Sequence, residues 1–272
     1  ARLAGASDPS AAGGALAWQQ VGGGGLLSLN GAPPLTLPGA HPAVGGSNVA
    51  WASATQITIA DRASLQPKLV LAASNVNALG VSDGWVVYRD EDAQGEHLIG
   101  VSMADPSARR YLAGARLAGR IGRPSLDGAS VVFTVNTPAR SAIELFELAR
   151  GRRQTVRAAR HGVVFFNPSP LGGHLLFERV TRCVQQLRIA PLVRSAHARS
   201  RVLLSLPSAV SRDPGYQRGY THAYNSASGC PNRRPGQGGA TQLGATALGS
   251  AGAYVTELGP VAGNAEVLDI AR

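Results

Sequence analysis

Residues Arg123 to Phe133 read RPSLDGASVVF: a Pro-Ser pair, an Asp-Gly turn, and an apolar run that ends on an aromatic. Asp-Gly between apolar runs is a strong hairpin signal, because both residues tolerate the positive φ that tight turns in a twisted ribbon require. The stretch predicts a turn feeding a buried strand. Versions of it recur at Pro9 to Trp18 (PSAAGGALAW), Pro42 to Trp51 (PAVGGSNVAW), Ala78 to Tyr88 (ALGVSDGWVVY), Pro168 to Phe177 (PSPLGGHLLF) and Ala247 to Val255 (ALGSAGAYV). The anchors Trp18, Trp51, Tyr88, Phe133, Phe177 and Val255 lie 33, 37, 45, 44 and 78 residues apart, so only the last gap is out of line.

A second alternating strand follows each anchor, at Leu26 to Leu29, Gln56 to Ile59, His97 to Val101, Ile143 to Leu148, Gln186 to Ile189 and Glu266 to Ile270. A third appears at Lys68 to Leu71, Arg110 to Leu112, Thr155 to Ala158 and Val202 to Leu206. With the short strand ahead of each turn, every repeat holds four antiparallel strands. Such a unit cannot bury both faces alone, and radial stacking of neighbours is its stable arrangement. The expected fold is all-β, a six-bladed β-propeller forming one domain over residues 1–272. The N-terminal segment Arg2 to Gly5 (RLAG) is similar to the outer strand at Tyr111 to Gly114, and it is expected to close the ring on Glu266 to Ile270.

Composition agrees with short strands and many turns: hydrophobic residues make up 44%, charged residues only 15%, and there are 34 Gly and 17 Pro. No apolar run approaches the roughly 20 residues of a bilayer span. The formal net charge of +10 raises nucleic acid as a partner, and the charge is concentrated: Ala139 to Arg234 holds sixteen arginines against four acids. Lys68 is the lone lysine, however, an imbalance expected of a G+C-rich coding sequence, and outside one segment the arginines lack the interleaved aromatics of a stacking surface. Nucleic acid is therefore not expected as the partner.

The series of Pro, Ser, Asp-Gly or Gly-Gly, and a strand ending in an aromatic, fullest at Arg123 to Phe133 and Asn167 to Phe177, resembles the TolB-like six-bladed propellers over nearly the whole chain. That resemblance implies a fold and no catalytic residue. The broad group includes periplasmic scaffold proteins and gating domains of some peptidases.

The long gap contains an insertion, Pro207 to Gly239, in which Tyr216, Tyr220 and Tyr224 alternate with Arg218 and His222. A Tyr- and Arg-rich loop on a rigid scaffold is a common seat of binding. Equally, it fits a plug whose tyrosines pack on the propeller face. The expected binding set is Tyr216, Arg218, Tyr220, His222 and Tyr224, with Arg179 and Arg182 beside Cys183. Cys183 and Cys230 lack metal or redox spacing. In an antiparallel blade the loop between the second and third strands and the exit from the fourth strand emerge at one end, which brings the two thiols to one face. A disulfide is expected, with two free buried thiols as the alternative, and the bond would place the chain in an oxidising compartment. An extracytoplasmic location is accordingly expected, with any signal peptide already removed.

Other motifs lack their context. Gly80 to Gly84 matches G-x-S-x-G, but a strand and not a helix follows. Asp90 to Gly95 begins like a calcium loop, yet its twelfth position is Val101. The six histidines show no paired ligand spacing, so neither metal nor cofactor is expected. Two functions survive. One is a non-catalytic, monomeric propeller that binds a protein or cell-envelope ligand through the insertion. The other is a hydrolase or lyase acting on a sugar or anionic polymer at the channel mouth, for which two carboxylates or a metal would have to converge there.

Overall fold

A computed structural model of the chain describes residues 2–115, 120–137, 139–160, 162–181, 184–193, 199–207, 242–250, 253–258 and 265–270. Among them the strands form six antiparallel sheets, called blades 1 to 6 in chain order. Blade 1 is β2 (Ala6–Ala12), β3 (Ala15–Gln20), β4 (Gly25–Leu29) and β5 (Leu35–Leu37). Blade 2 is β6 (Ala40–Gly45), β7 (Asn48–Ala52), β8 (Gln56–Asp61) and β9 (Pro67–Ala72), and blade 3 is β10 (Val76–Val81), β11 (Trp85–Asp92), β12 (Gly95–Ser102) and β13 (Arg109–Ala115). In blade 4 the inner strand is broken into β14 (Arg120–Ile121) and β15 (Ser125–Asp127), followed by β16 (Ser130–Asn136), β17 (Arg140–Glu147) and β18 (Arg152–Arg160). Blade 5 is β19 (Val163–Leu171), β20 (His174–Thr181), β21 (Val184–Pro191) and β22 (Arg201–Pro207). Blade 6 is β23 (Gln242–Leu248), β24 (Ala253–Leu258) and β25 (Ala265–Ile270), with β1 (Arg2–Ala4) as its fourth strand. The pairing of β1 on β25 sets Arg2 opposite Leu268 and Ala4 opposite Glu266.

The inner strands pack in sequence around an axis: β2 on β6, β6 on β10, β10 on β15, β15 on β19, β19 on β23, and β23 back on β2. All of them run in the same direction along that axis. The hydrophobic core is correspondingly divided. One apolar cluster lies between each pair of neighbouring blades, and the anchors Trp18, Trp51, Tyr88, Phe133, Phe177 and Val255 are all buried. Close approach of neighbouring inner strands demands small residues. A Cβ on Gly45 would stand 1.9 Å from the Val81 carbonyl oxygen of the next blade.

The Asp-Gly pairs sit in the hairpin turns their sequence suggests, at β10–β11 and β15–β16, and do a second job as well. Only Gly128 takes a positive φ (58°); Asp83, Gly84 and Asp127 do not. The aspartates also tie blades together. Asp127 Oδ2 accepts the Gly172 N–H of blade 5 (2.8 Å), and Asp83 Oδ1 accepts the Ser47 N–H of blade 2 (2.6 Å). Serines of the Pro-Ser pairs serve similarly: Ser10 Oγ accepts the Val44 N–H (3.0 Å) and Ser169 Oγ the Leu248 N–H (2.8 Å), each on the following blade. Gly80 to Gly84 is a strand running into a hairpin turn, and Asp90 to Gly95 is the tip of the β11–β12 hairpin. Pro207, expected to open the insertion, is the last residue of β22. Among the described residues no helix is long and apolar enough to cross a membrane.

Candidate functional site: the mouth of the axial channel

Every inner strand but the broken one of blade 4 carries a register shift near its start: between Ser7 and Ser10, Ala40 and Ala43, Val76 and Ala78, Phe166 and Ser169, and Leu243 and Thr246. In three blades the extra residue precedes a proline and adopts the left-handed conformation: Asp8 (φ 50°), His41 (φ 52°) and Asn167 (φ 46°). Asn, Asp and His are the non-glycine residues that enter this region most readily. The bulge re-aims their side chains, as bulges commonly do at functional rims. Together with Asn77 and Arg123 they line a cavity of about 370 Å³ at the end of the ring where the inner strands begin.

Arg123 forms the floor. From blade 4 it reaches across the axis, donating from Nη1 to the Pro9 carbonyl (3.1 Å) and from Nη2 to the Pro42 carbonyl (3.2 Å). Asp8 Oδ1 lies 4.0 Å from the same Nη1. Below it the axial channel narrows to a space of about 20 Å³ bordered by Ser10, Ser125, Ser169 and Thr246. Burial lowers the pKa of the Arg123 guanidinium, an effect that Asp8 opposes and Arg89 reinforces.

The wall on the side of blades 3 and 4 is a polar network. Arg89 donates from Nε to Asn77 Oδ1 (2.6 Å) and from Nη1 to the Ile121 carbonyl, while Glu96 accepts the Ile121 N–H (2.6 Å) and a bond from Arg120 Nη1 (3.1 Å). Burial also lowers the pKa of Arg89, and it lowers that of His41, where Asp8 pulls the other way. Behind Asn167 the carboxyl of Glu178 is buried, and desolvation raises its pKa well above the ordinary carboxylate value, with a hydrogen bond to Asn167 opposing. Thr134 is fully buried at the cavity wall, and its Oγ1 has no hydrogen-bond partner among the described residues.

Of the binding residues expected from the sequence, Arg179 lies on β20, half-buried, paired across from Phe165 and Gln186. Arg182, Tyr216, Arg218, Tyr220, His222, Tyr224 and both cysteines, Cys183 and Cys230, lie outside the described residues. Their flanks are described. Thr181 pairs with Val163 at the start of inner strand β19, and Val184 pairs with Pro207, which sets these chain ends on the mouth face. Sequence reasoning missed Asp8, His41, Asn77 and the floor role of Arg123. The available signal was the αL-tolerant residue directly ahead of proline in three repeats.

No family model matches the sequence, and no curated protein does. Solved structures match in shape. A putative TolB from Agrobacterium tumefaciens has 11% identity and a TM-score of 0.58, over 75% of this chain and 83% of that one. The β-propeller domain of Cps50 (Swd1) from Myceliophteria thermophila has 10% identity and a TM-score of 0.57, over 99% and 100%. TolB from Acinetobacter baumannii has 11% identity and a TM-score of 0.54, over 90% of this chain and 59% of that one. At these identities the likeness is one of fold: the chain is a β-propeller that resembles TolB-like proteins.

Proposed function

We propose that this chain is a non-catalytic, extracytoplasmic propeller with a closed six-bladed ring that binds a protein or cell-envelope ligand on its mouth face. The observation that carries the reading is the mouth itself. On a repeated bulge four blades place residues of different chemistry, Asp8, His41, Asn77 and Asn167, around a cavity whose floor is Arg123, from the broken inner strand of blade 4. A scaffold that repeats everywhere except at one convergent rim points to recognition there. In this reading Tyr216, Arg218, Tyr220, His222, Tyr224, Arg179 and Arg182 extend the contact surface, since the chain ends at Thr181, Val184 and Pro207 belong to that face. The location rests on Cys183 and Cys230 being joined. Replacing Tyr216, Tyr220 and Tyr224 together by Ala is expected to leave the far-ultraviolet circular dichroism intact and to abolish capture of the partner from an envelope fraction. Unchanged capture would move the site to another face.

A second reading, an enzyme acting on a sugar or anionic polymer, is favoured by one observation: two carboxylates, Asp8 and Glu96, line the mouth. Both Glu96 oxygens are engaged, by the Ile121 N–H and by Arg120, which leaves Asp8 as the available acid. Turnover of a glycosidic substrate that Asp8→Asn abolishes would establish this alternative.

A further inference from the structure

We propose that the mouth cavity binds a neutral, polyhydroxylated ligand, a short saccharide without net charge; this rests on the mouth face being the binding face. The charges in the cavity exclude the ionic alternatives. Arg89 and Arg123 are engaged by backbone carbonyls and face Glu96 and Asp8, and Arg120 lies 3.1 Å from Glu96 and 4.0 Å from Glu91. An anion seated here would meet Asp8 and Glu96, and a cation would meet the guanidiniums, so either would bring like charges together in a partly desolvated space.

The unengaged groups are instead a mixed set of donors and acceptors. The Asp8 carboxylate accepts no hydrogen bond from the described residues, its nearest charged neighbour being Arg123 at 4.0 Å, and its side chain is 44% exposed. Asn77 Oδ1 is fixed by Arg89, which directs the amide NH2 away from that bond as a donor. The His41 backbone is held through its N–H on Gln19 Oε1 (3.0 Å), and its ring lines the cavity. A saccharide hydroxyl both donates and accepts, so one ligand class can satisfy all three groups. Phe166, partly exposed, gives the same cavity an apolar surface for the C–H face of a sugar ring. The volume falls in the lower part of the range of small-ligand sites.

The test is calorimetric titration of the full chain with glucose, galactose and N-acetylglucosamine, and with their charged counterparts glucuronate and glucosamine. A neutral sugar is expected to bind saturably, with charged counterparts about tenfold weaker. Asn77→Asp, which keeps an oxygen on Arg89 Nε and removes the amide donor, and Asp8→Asn, which keeps an αL-tolerant residue, should each weaken that sugar about fivefold, with neither variant melting far below the parent chain. The proposal is overturned if no neutral sugar saturates, if a charged one binds as well, or if both variants bind as the parent does. Partner capture that depends on Tyr216, Tyr220 and Tyr224 while no sugar binds would reject the saccharide and leave the mouth face standing; absence of both would reject the face as well.

Discussion

Two positions on the inner strands of blades 1, 2 and 5, two residues apart, behave in opposite ways. At the bulge stand Asp8, His41 and Asn167, different in each blade and aimed into the mouth. Two residues on stand Ser10, Ala43 and Ser169, small in every case, and the two serines each accept an N–H from the following blade. The first position carries individuality and the second carries assembly. A repeat protein can vary its chemistry at one without disturbing the other, because the latch and the site use different residues of the same turn.

That contrast can be broken most severely where blades touch through backbone. Gly45→Ala drives a Cβ into the Val81 carbonyl and should cost about 3 kcal/mol, read as a large drop in melting temperature. Next, Arg123→Met removes two cross-axis hydrogen bonds from a charged donor and should cost roughly 2 kcal/mol in urea unfolding. Ser169→Ala orphans the Leu248 N–H and should cost about 1 kcal/mol. Two residues earlier the outcome should differ: Asp8→Asn, which retains an αL-tolerant residue and breaks no hydrogen bond among the described residues, should stay within about 0.5 kcal/mol of the parent. If Asp8→Asn destabilised as much as Ser169→Ala, the division between site and latch would be wrong.

The remaining prediction concerns pH. Because burial raises the Glu178 pKa in the folded chain, the folded state holds its proton where the unfolded chain, at about 4.5, has lost it. Stability from this residue is therefore greatest below that value and declines as pH rises toward the folded pKa. Glu178→Gln should raise the melting temperature at pH 7, and the gain should vanish near pH 4. A gain equal at both values would show that the carboxyl is not the cause.

The fold was readable because its signal is redundant: the buried anchor and the glycines ahead of it recur with the period of a blade, and a lapse in one copy is repaired by the others. The site was not, because its signal is the absence of repetition. The repeated copies at Pro9 and Pro42 begin one residue past the mouth, and of the three bulge residues only Asn167 falls inside the repeated pattern. The Asp-Gly pairs were legible as hairpin turns but not as ties between blades. Turn propensity is a local property, whereas Asp83 and Asp127 act through neighbouring blades, a relation visible only once the blades are stacked. Thr134 gave no warning at all, since a threonine inside an apolar strand reads as β-branched packing until its hydroxyl is found without a partner.

The bulge also has a meaning for protein engineering. A left-handed residue ahead of proline admits few side chains, and those it admits, Asn, Asp, His and Gly, are either polar or absent. Backbone geometry thus supplies a ready-made alphabet at positions 8, 41 and 167. A combinatorial library limited to those four letters at three codons would comprise a few dozen variants, each compatible with the same scaffold and each presenting a different rim. Selecting from it against a panel of sugars would turn one natural scaffold into a family of designed binders.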